Sequence, residues 1–193
     1  MKKQIVVLAT LLGIICIVFL SGCVNQPIEN ETSTTTTTST TTTTQPSYQP
    51  LTIKVFLDAE SGRELPFFDN MTIAAVRTGM RVWEEKTNNT VSFVETSKRY
   101  DAIVTINWTR TLGGEWAGVT YYIPGRIGGA ITLMPSGVLL RNQLRAMHEL
   151  GHIFGLNHST DIMSVMNEYE HYFSNVTDED AQQVIIIVRN YQK

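Results

Sequence analysis

The sequence predicts an α+β domain over residues 51–193, and three features of the chain predict it. Short segments rich in β-branched residues recur between positions 52 and 134. One long stretch, 69–87, carries apolar residues at helical spacing. Two further helical stretches, from about position 141 and from position 177, come after the strands instead of alternating with them.

The elements follow in order. Thr52 to Leu57 alternates well enough for a strand. Asp69 or Asn70 is placed to cap a helix running to about Thr87, because a side-chain oxygen there can accept from an orphan amide of the first turn. Within that helix Ile73, Val76, Met80 and Trp83 share one face and read as a core stripe. Val91–Glu95 and Ala102–Asn107 are short strands. Gly118–Ile123 and Ala130–Met134 are two more, joined by Pro124-Gly125-Arg126-Ile127-Gly128-Gly129. A helix follows from about Arg141. Thr177-Asp178-Glu179-Asp180 has the pattern of a capping box, and Val184–Val188 supplies a buried face for a C-terminal helix.

The second helical stretch holds His148-Glu149-Leu150-Gly151-His152-Ile153-Phe154-Gly155-Leu156-Asn157-His158. This reads H-E-x-x-H-x-x-G-x-x-H, and each fixed position has a chemical task. His148 and His152 are four residues apart, so both imidazoles project from one helix face and can grip one zinc ion. Glu149 follows the first ligand directly, so its carboxylate reaches a water at the metal without ligating it, the place of a general base. The helix cannot present a third ligand at the right angle from the same face. Gly155 lets the chain turn back, because glycine adopts the left-handed conformation common just past a helix end. His158 then arrives from another direction. Three ligands leave the fourth position open, as in catalytic rather than structural zinc sites. Such a pattern arises by chance in on the order of one window in ten million, and it uses three of the chain's four histidines.

These residues resemble the metzincin clan of zinc endopeptidases, and within it most closely the matrixin-type catalytic domain. The resemblance implies a metzincin-like fold: a mixed, twisted sheet with two long helices in an upper subdomain, and a small lower subdomain with a Met-turn and a C-terminal helix. The order of strands and helices above matches that upper subdomain. Metzincins carry their Met-turn below the zinc. Met166, in Ser164-Val165-Met166, stands eight residues after His158, the usual matrixin offset, and is preferred; Met163 is the alternative. By the same resemblance, Gly118–Ile123 is the edge strand above the cleft, to which an extended peptide can add as a further strand. Tyr121 and Tyr122 point to opposite faces of such a strand, so at most one lines the cleft. Gly128–Leu133 resembles the matrixin stretch before its last strand, yet Ala130 stands where many matrixins carry an aspartate for calcium. No separate histidine cluster for a structural zinc is visible. One zinc ion is expected, with calcium left open. His171 is expected on the surface, since the site is complete without it. Tyr169 or Tyr172 could approach the metal, as a tyrosine does in some metzincins, although neither has the usual spacing from Met166.

Upstream, Lys2 and Lys3 precede an apolar run from Ile5 to Leu20, the pattern of a secretory signal. The run ends in Leu20-Ser21-Gly22-Cys23, which resembles the lipobox of prokaryotic lipoproteins, where cleavage leaves the cysteine for lipid attachment. The alternative is an uncleaved membrane helix, for which the run is somewhat short. Residues 1–23 are therefore expected to be a signal peptide with a lipobox or a membrane anchor, with the rest exported and held at the outer face of the cell membrane. Thr32–Thr44 is unbroken threonine and serine, and residues 24–50 read as a disordered stalk, bare or glycosylated. Cys16 and Cys23 are the only cysteines, so residues 51–193 have no disulfide, no thiolate ligand and none of the cysteine with which some matrixin propeptides plug the zinc. Glycosylation sequons begin at Asn30, Asn70, Asn88, Asn107, Asn157 and Asn175, and Asn157 is expected to stay bare between the zinc-site residues.

Net charge is −3 and no basic patch stands out, so nucleic acid is not an expected partner. The function expected is that of a monomeric zinc metalloendopeptidase acting on protein or peptide substrates. Two readings compete with it. A zinc amidase acting on cell-wall or other non-protein amides could use the same site. A non-enzymatic zinc-binding surface lipoprotein could retain the ligands alone, but it has no need of Glu149 beside the metal.

Overall fold

The computed structural model describes residues 49–113 and 117–193. The expected signal, lipobox with Cys23, the stalk up to residue 48 and the sequon at Asn30 lie outside those residues. Among the described residues no helix is long and apolar enough to cross a membrane.

In chain order the elements are β1 (Leu51–Leu57), α1 (Ala59–Gly62), α2 (Asn70–Lys86), β2 (Val91–Glu95), β3 (Val104–Trp108), β4 (Gly118–Tyr121), β5 (Gly129–Leu133), α3 (Leu139–His152) and α4 (Asp178–Tyr191). The strands form one sheet in the order β2-β1-β3-β5-β4. β1 runs parallel to β2 and β3, and β3 runs parallel to β5; β4 pairs antiparallel with β5. The α+β class and the mixed sheet expected from the sequence are both present. Among the described residues β4 is an outer edge of the sheet.

One face of the sheet is apolar because its residues alternate. β1 buries Ile53 and Val55 while exposing Thr52 and Lys54; β3 buries Val104, Ile106 and Trp108; β5 buries Ile131 and Leu133. α2 and α3 cover that face and join the same core through Val76, Met80, Trp83, Leu144 and Leu150. Each such aliphatic side chain contributes about 1.5–3 kcal/mol on burial.

α2 begins where Asp69 accepts a hydrogen bond from the Thr72 amide at 2.9 Å, with Thr72 answering toward the Asp69 amide. That decides between Asp69 and Asn70 as the cap. Gly79 lets α3 come close: a Cβ there would stand 3.3 Å from Met147. One turn on, the Trp83 indole donates to the Met147 carbonyl at 2.9 Å, so α2 is pinned beside the residue preceding His148. α4 starts at the expected capping box, formed by Thr177 and Asp180. It buries Val184, Ile185 and Val188, whereas Ile186 faces outward. Asp180 is itself buried and accepts from the Ser164 hydroxyl at 2.9 and 2.8 Å, which ties α4 to the segment leading to Met166.

Boundaries differ from expectation where local hydrogen bonds take over. Residues Arg99–Asp101 form a 3-10 turn, and the Ala102 amide closes it by bonding the Arg99 carbonyl, so β3 starts later than Ala102. β4 ends at Tyr121, before a turn in which the Arg126 amide reaches the Ile123 carbonyl. β5 takes in Gly129 and stops short of Met134. α3 starts at Leu139, earlier than Arg141, and α1 was not foreseen.

Trp83→Phe removes the indole donor and part of a fully buried side chain. It should lower stability by about 1–3 kcal/mol, measured as a shift in the denaturant unfolding midpoint with unchanged slope.

Candidate active site

The last turn of α3 carries His148 and His152. The ring Nδ1 of His148 lies 2.8 Å from the Val165 carbonyl oxygen, and that of His152 lies 2.7 Å from the Leu156 carbonyl oxygen. A carbonyl oxygen only accepts, so each Nδ1 must hold the proton and donate. Both rings are thereby fixed as the tautomer with a bare Nε2. Those two Nε2 atoms stand 3.0 Å apart. Two lone pairs at that separation repel, and a cation between them relieves the repulsion. Two nitrogens bound to one tetrahedral zinc are about 3.3 Å apart, close to this spacing.

His158 closes the set. α3 ends at His152, and Gly155 turns the chain at φ 88°, with its amide bonded to the His152 carbonyl at 2.9 Å. One ligand atom from each of His148, His152 and His158 falls within 4.8 Å of the others. This uncharged, all-imidazole set fits zinc. Burial above all, and then the neighbouring His152, push His148 down to about 4; burial also lowers His152. Both rings are thus held in the neutral form that a metal requires.

Glu149 is buried between α3 and β4. The Thr120 hydroxyl donates to its Oε2 at 2.6 Å. Burial pushes this carboxyl up to about 7, while the Thr120 hydrogen bond pulls the other way. Glu149 and the three histidines line one cleft of about 510 Å³, which Ala117 and Gly118–Thr120 of the edge strand also line. Residues Asn167–His171 and Ser174 of the loop 167–174 line the cleft as well. Glu170 anchors that loop to α3 through Arg145 at 3.0 Å and Arg141 at 3.3 Å.

Of the two Met-turn candidates, Met166 is 1% exposed and Met163 is 51% exposed. Met166 packs under the turn that bears both histidines. A Cβ on Gly151 would collide with its sulfur and would lie 3.2 Å from the Trp83 ring. The Ser164 hydroxyl accepts from the Met166 amide at 2.9 Å and fixes the backbone there.

The other residues singled out in the sequence are placed as follows. Tyr122 lines the cleft, and Tyr121 faces solvent, in keeping with their opposite directions. His171 lies outside the ligand cluster; it is half-buried on the cleft wall and stacks on Phe173 with centroids 5.3 Å apart. Tyr169 lines the cleft, whereas the Tyr172 hydroxyl accepts from Arg141 at 2.7 Å. Asn157 also lines the cleft. Sequence reasoning missed Thr120, Gly118 and the steric role of Gly151. The signal available for the first two was their spacing on a predicted edge strand, which puts 118 and 120 on one face.

A family model described as Matrixin matches residues 139–187, about a quarter of the chain. The match runs from the start of α3 through the three histidines, Glu149 and Met166 into α4. A comparison with curated proteins found no match. The matched segment and the histidine triad together fit a matrixin-like zinc site, and the five-stranded mixed sheet agrees with a matrixin-like metzincin fold.

Gly151→Ala forces Met166 or Trp83 to move. It should destabilise the fold by about 1–3 kcal/mol and weaken zinc binding about tenfold or more by tilting the turn beneath the ligands. Thermal unfolding and zinc competition against a colorimetric chelator check the two effects.

Proposed function

We propose that this protein is a zinc-dependent endopeptidase that hydrolyses internal peptide bonds. The observation that carries the reading is a pair of bare, opposed imidazole nitrogens beside a buried carboxylate, in a cleft walled by an open strand edge. His148, His152 and His158 would hold the ion. When bound, zinc supplies a Lewis acid that polarises the scissile carbonyl and makes the attacking water more acidic.

The chain's own residues do the rest. Glu149 takes a proton from the water as the water attacks the carbonyl carbon. It returns that proton to the amide nitrogen as the C–N bond breaks. No covalent intermediate with the protein is required. β4, whose outer edge pairs with no strand among the described residues, offers that edge to the substrate backbone, so an extended peptide is held as an added strand with modest demands on its side chains. Met166 keeps a rigid apolar floor under the ligands. We also infer that the domain acts outside the cell, held through residues 1–23 by a lipid on Cys23 or by an uncleaved helix and spaced from the membrane by the Thr/Ser stalk. The support is the pattern Lys2-Lys3, apolar run, Leu20-Ser21-Gly22-Cys23.

Glu149→Gln should keep zinc and lose about 10²–10⁴-fold in turnover; a casein digest by the wild type, abolished by a zinc chelator and by this variant, checks the assignment. The pH dependence has a definite sign. The base acts only when ionised, and its carboxyl is raised from 4.5 to about 7 by burial, with the Thr120 hydrogen bond pulling the other way. Activity should therefore rise with pH through an acid limb between those two values, as read from a kcat/KM profile.

A further inference from the structure

Gly118 and Thr120 lie two residues apart on β4, so they share one face. Their partners across the strand pair are Leu133 and Ile131, both buried toward the helices. These are core-facing positions, where an apolar side chain is the ordinary choice. Neither residue here is one. Gly118 has no side chain, and a Cβ built on it would stand 2.5 Å from Glu149 Oε1, 2.8 Å from its Cγ and 2.9 Å from its Cδ. Thr120 is polar, and its hydroxyl lies 2.6 Å from Glu149 Oε2 and 3.1 Å from the Glu149 carbonyl oxygen. Both core-facing positions of the edge strand are thus given over to one carboxylate.

We infer that Thr120 is a positioning residue for Glu149, assigning Oε2 to a fixed hydrogen bond and leaving Oε1, in the clearance made by Gly118, as the oxygen that carries the proton. This rests on the peptidase reading above and deepens it. The chemistry is balanced as follows. The threonine hydroxyl donates to Oε2 while Glu149 is ionised, and the bond is short, as expected for a hydroxyl on a carboxylate. When the water gives up a proton, Oε2 already accepts one hydrogen bond, so the proton goes to Oε1. The acid then holds O–H at Oε1 and keeps Oε2 as the carbonyl-like acceptor of Thr120. From Oε1 the proton passes to the leaving nitrogen, and the carboxylate returns to its starting state. Oε2 carries the Thr120 hydrogen bond, and among the described residues Oε1 has no hydrogen-bond partner.

The strand therefore has two tasks on its two sides. Its outer edge is available to the substrate backbone, and its inner face fixes the base. Because the Thr120 side chain is turned away from the edge, its loss should affect the chemical step and leave substrate pairing alone.

The test uses the whole zinc-loaded chain with Thr120→Val, which keeps the shape and removes the hydroxyl, Thr120→Ser, which keeps the hydroxyl, and Thr120→Ala in case valine impairs folding. Wild type and Glu149→Gln run alongside. The expected result is a kcat about ten- to a hundredfold lower for Val and Ala, an unchanged KM, an unchanged zinc content and recovery of most of the rate with Ser. If the wild type cleaves, Glu149→Gln does not, and Val or Ala turns over as fast as wild type, the inference is overturned while the peptidase reading stands. If the wild type cleaves no peptide, that reading fails, and the crystal structure of zinc-loaded Thr120→Val still decides the inference. A Glu149 carboxylate swung out of the Gly118 clearance supports it; one left in place overturns it.

Discussion

The bare Nε2 atoms of His148 and His152, held 3.0 Å apart, are the constraint that the rest of this domain serves. Left alone, two such rings would rotate to avoid each other. They cannot, because carbonyl oxygens from two directions hold them by the opposite nitrogen: Leu156 just past α3, and Val165 in the segment before Met166. Each of those carbonyls has its own support. Leu156 depends on the left-handed turn at Gly155. Val165 sits between Ser164 and Met166, whose geometry is fixed by the Ser164 hydroxyl and, through it, by buried Asp180 at the start of α4. The fold thus holds a repulsive contact in place, one that a metal ion would convert into a favourable one. Binding and folding are coupled in such a site, because the unfolded chain has no preformed set of ligands.

Close approach of elements is the second requirement. α3 must lie near α2, near Met166 and near β4 at once. Three glycines permit this by having no side chain: Gly79 toward Met147, Gly151 toward Met166 and Trp83, and Gly118 toward Glu149. Trp83 unites two of these contacts, since its ring lies against Gly151 while its N–H reaches the Met147 carbonyl. The helix that bears the ligands is therefore clamped on three sides, and its histidines inherit that rigidity. The loop 167–174 is held to the same helix by Glu170 between Arg141 and Arg145, so both walls of the cleft are referenced to α3.

Much of this was legible in the sequence, for reasons that differ by element. The zinc-site residues could be read because helix geometry and ligand number demand fixed spacing, and His148, His152 and His158 do converge. The strands could be read because a half-buried sheet alternates, as Ile53 and Val55 do in β1. The offset from His158 already favoured Met166 over Met163, and in the fold Met166 is buried against Gly151 whereas Met163 is exposed. Gly151 is a variable letter in the motif, and its steric meaning exists only once Trp83 and Met166 are brought to it from elsewhere in the chain. Thr120 and Gly118 looked like ordinary strand residues, because what sets them apart is the carboxylate packed against them. The stacking of His171 on Phe173 was not legible either, because it is a property of the folded loop.

The measurement that bears most directly on the central claim is zinc-edge X-ray absorption of the zinc-loaded protein, with metal content determined on the same sample. The expected result is one zinc per chain, bound by three imidazole nitrogens and one oxygen donor at about 2.0–2.1 Å, with the site open to water. A protein that takes up no zinc, or one whose zinc is closed off by four protein ligands, would contradict it.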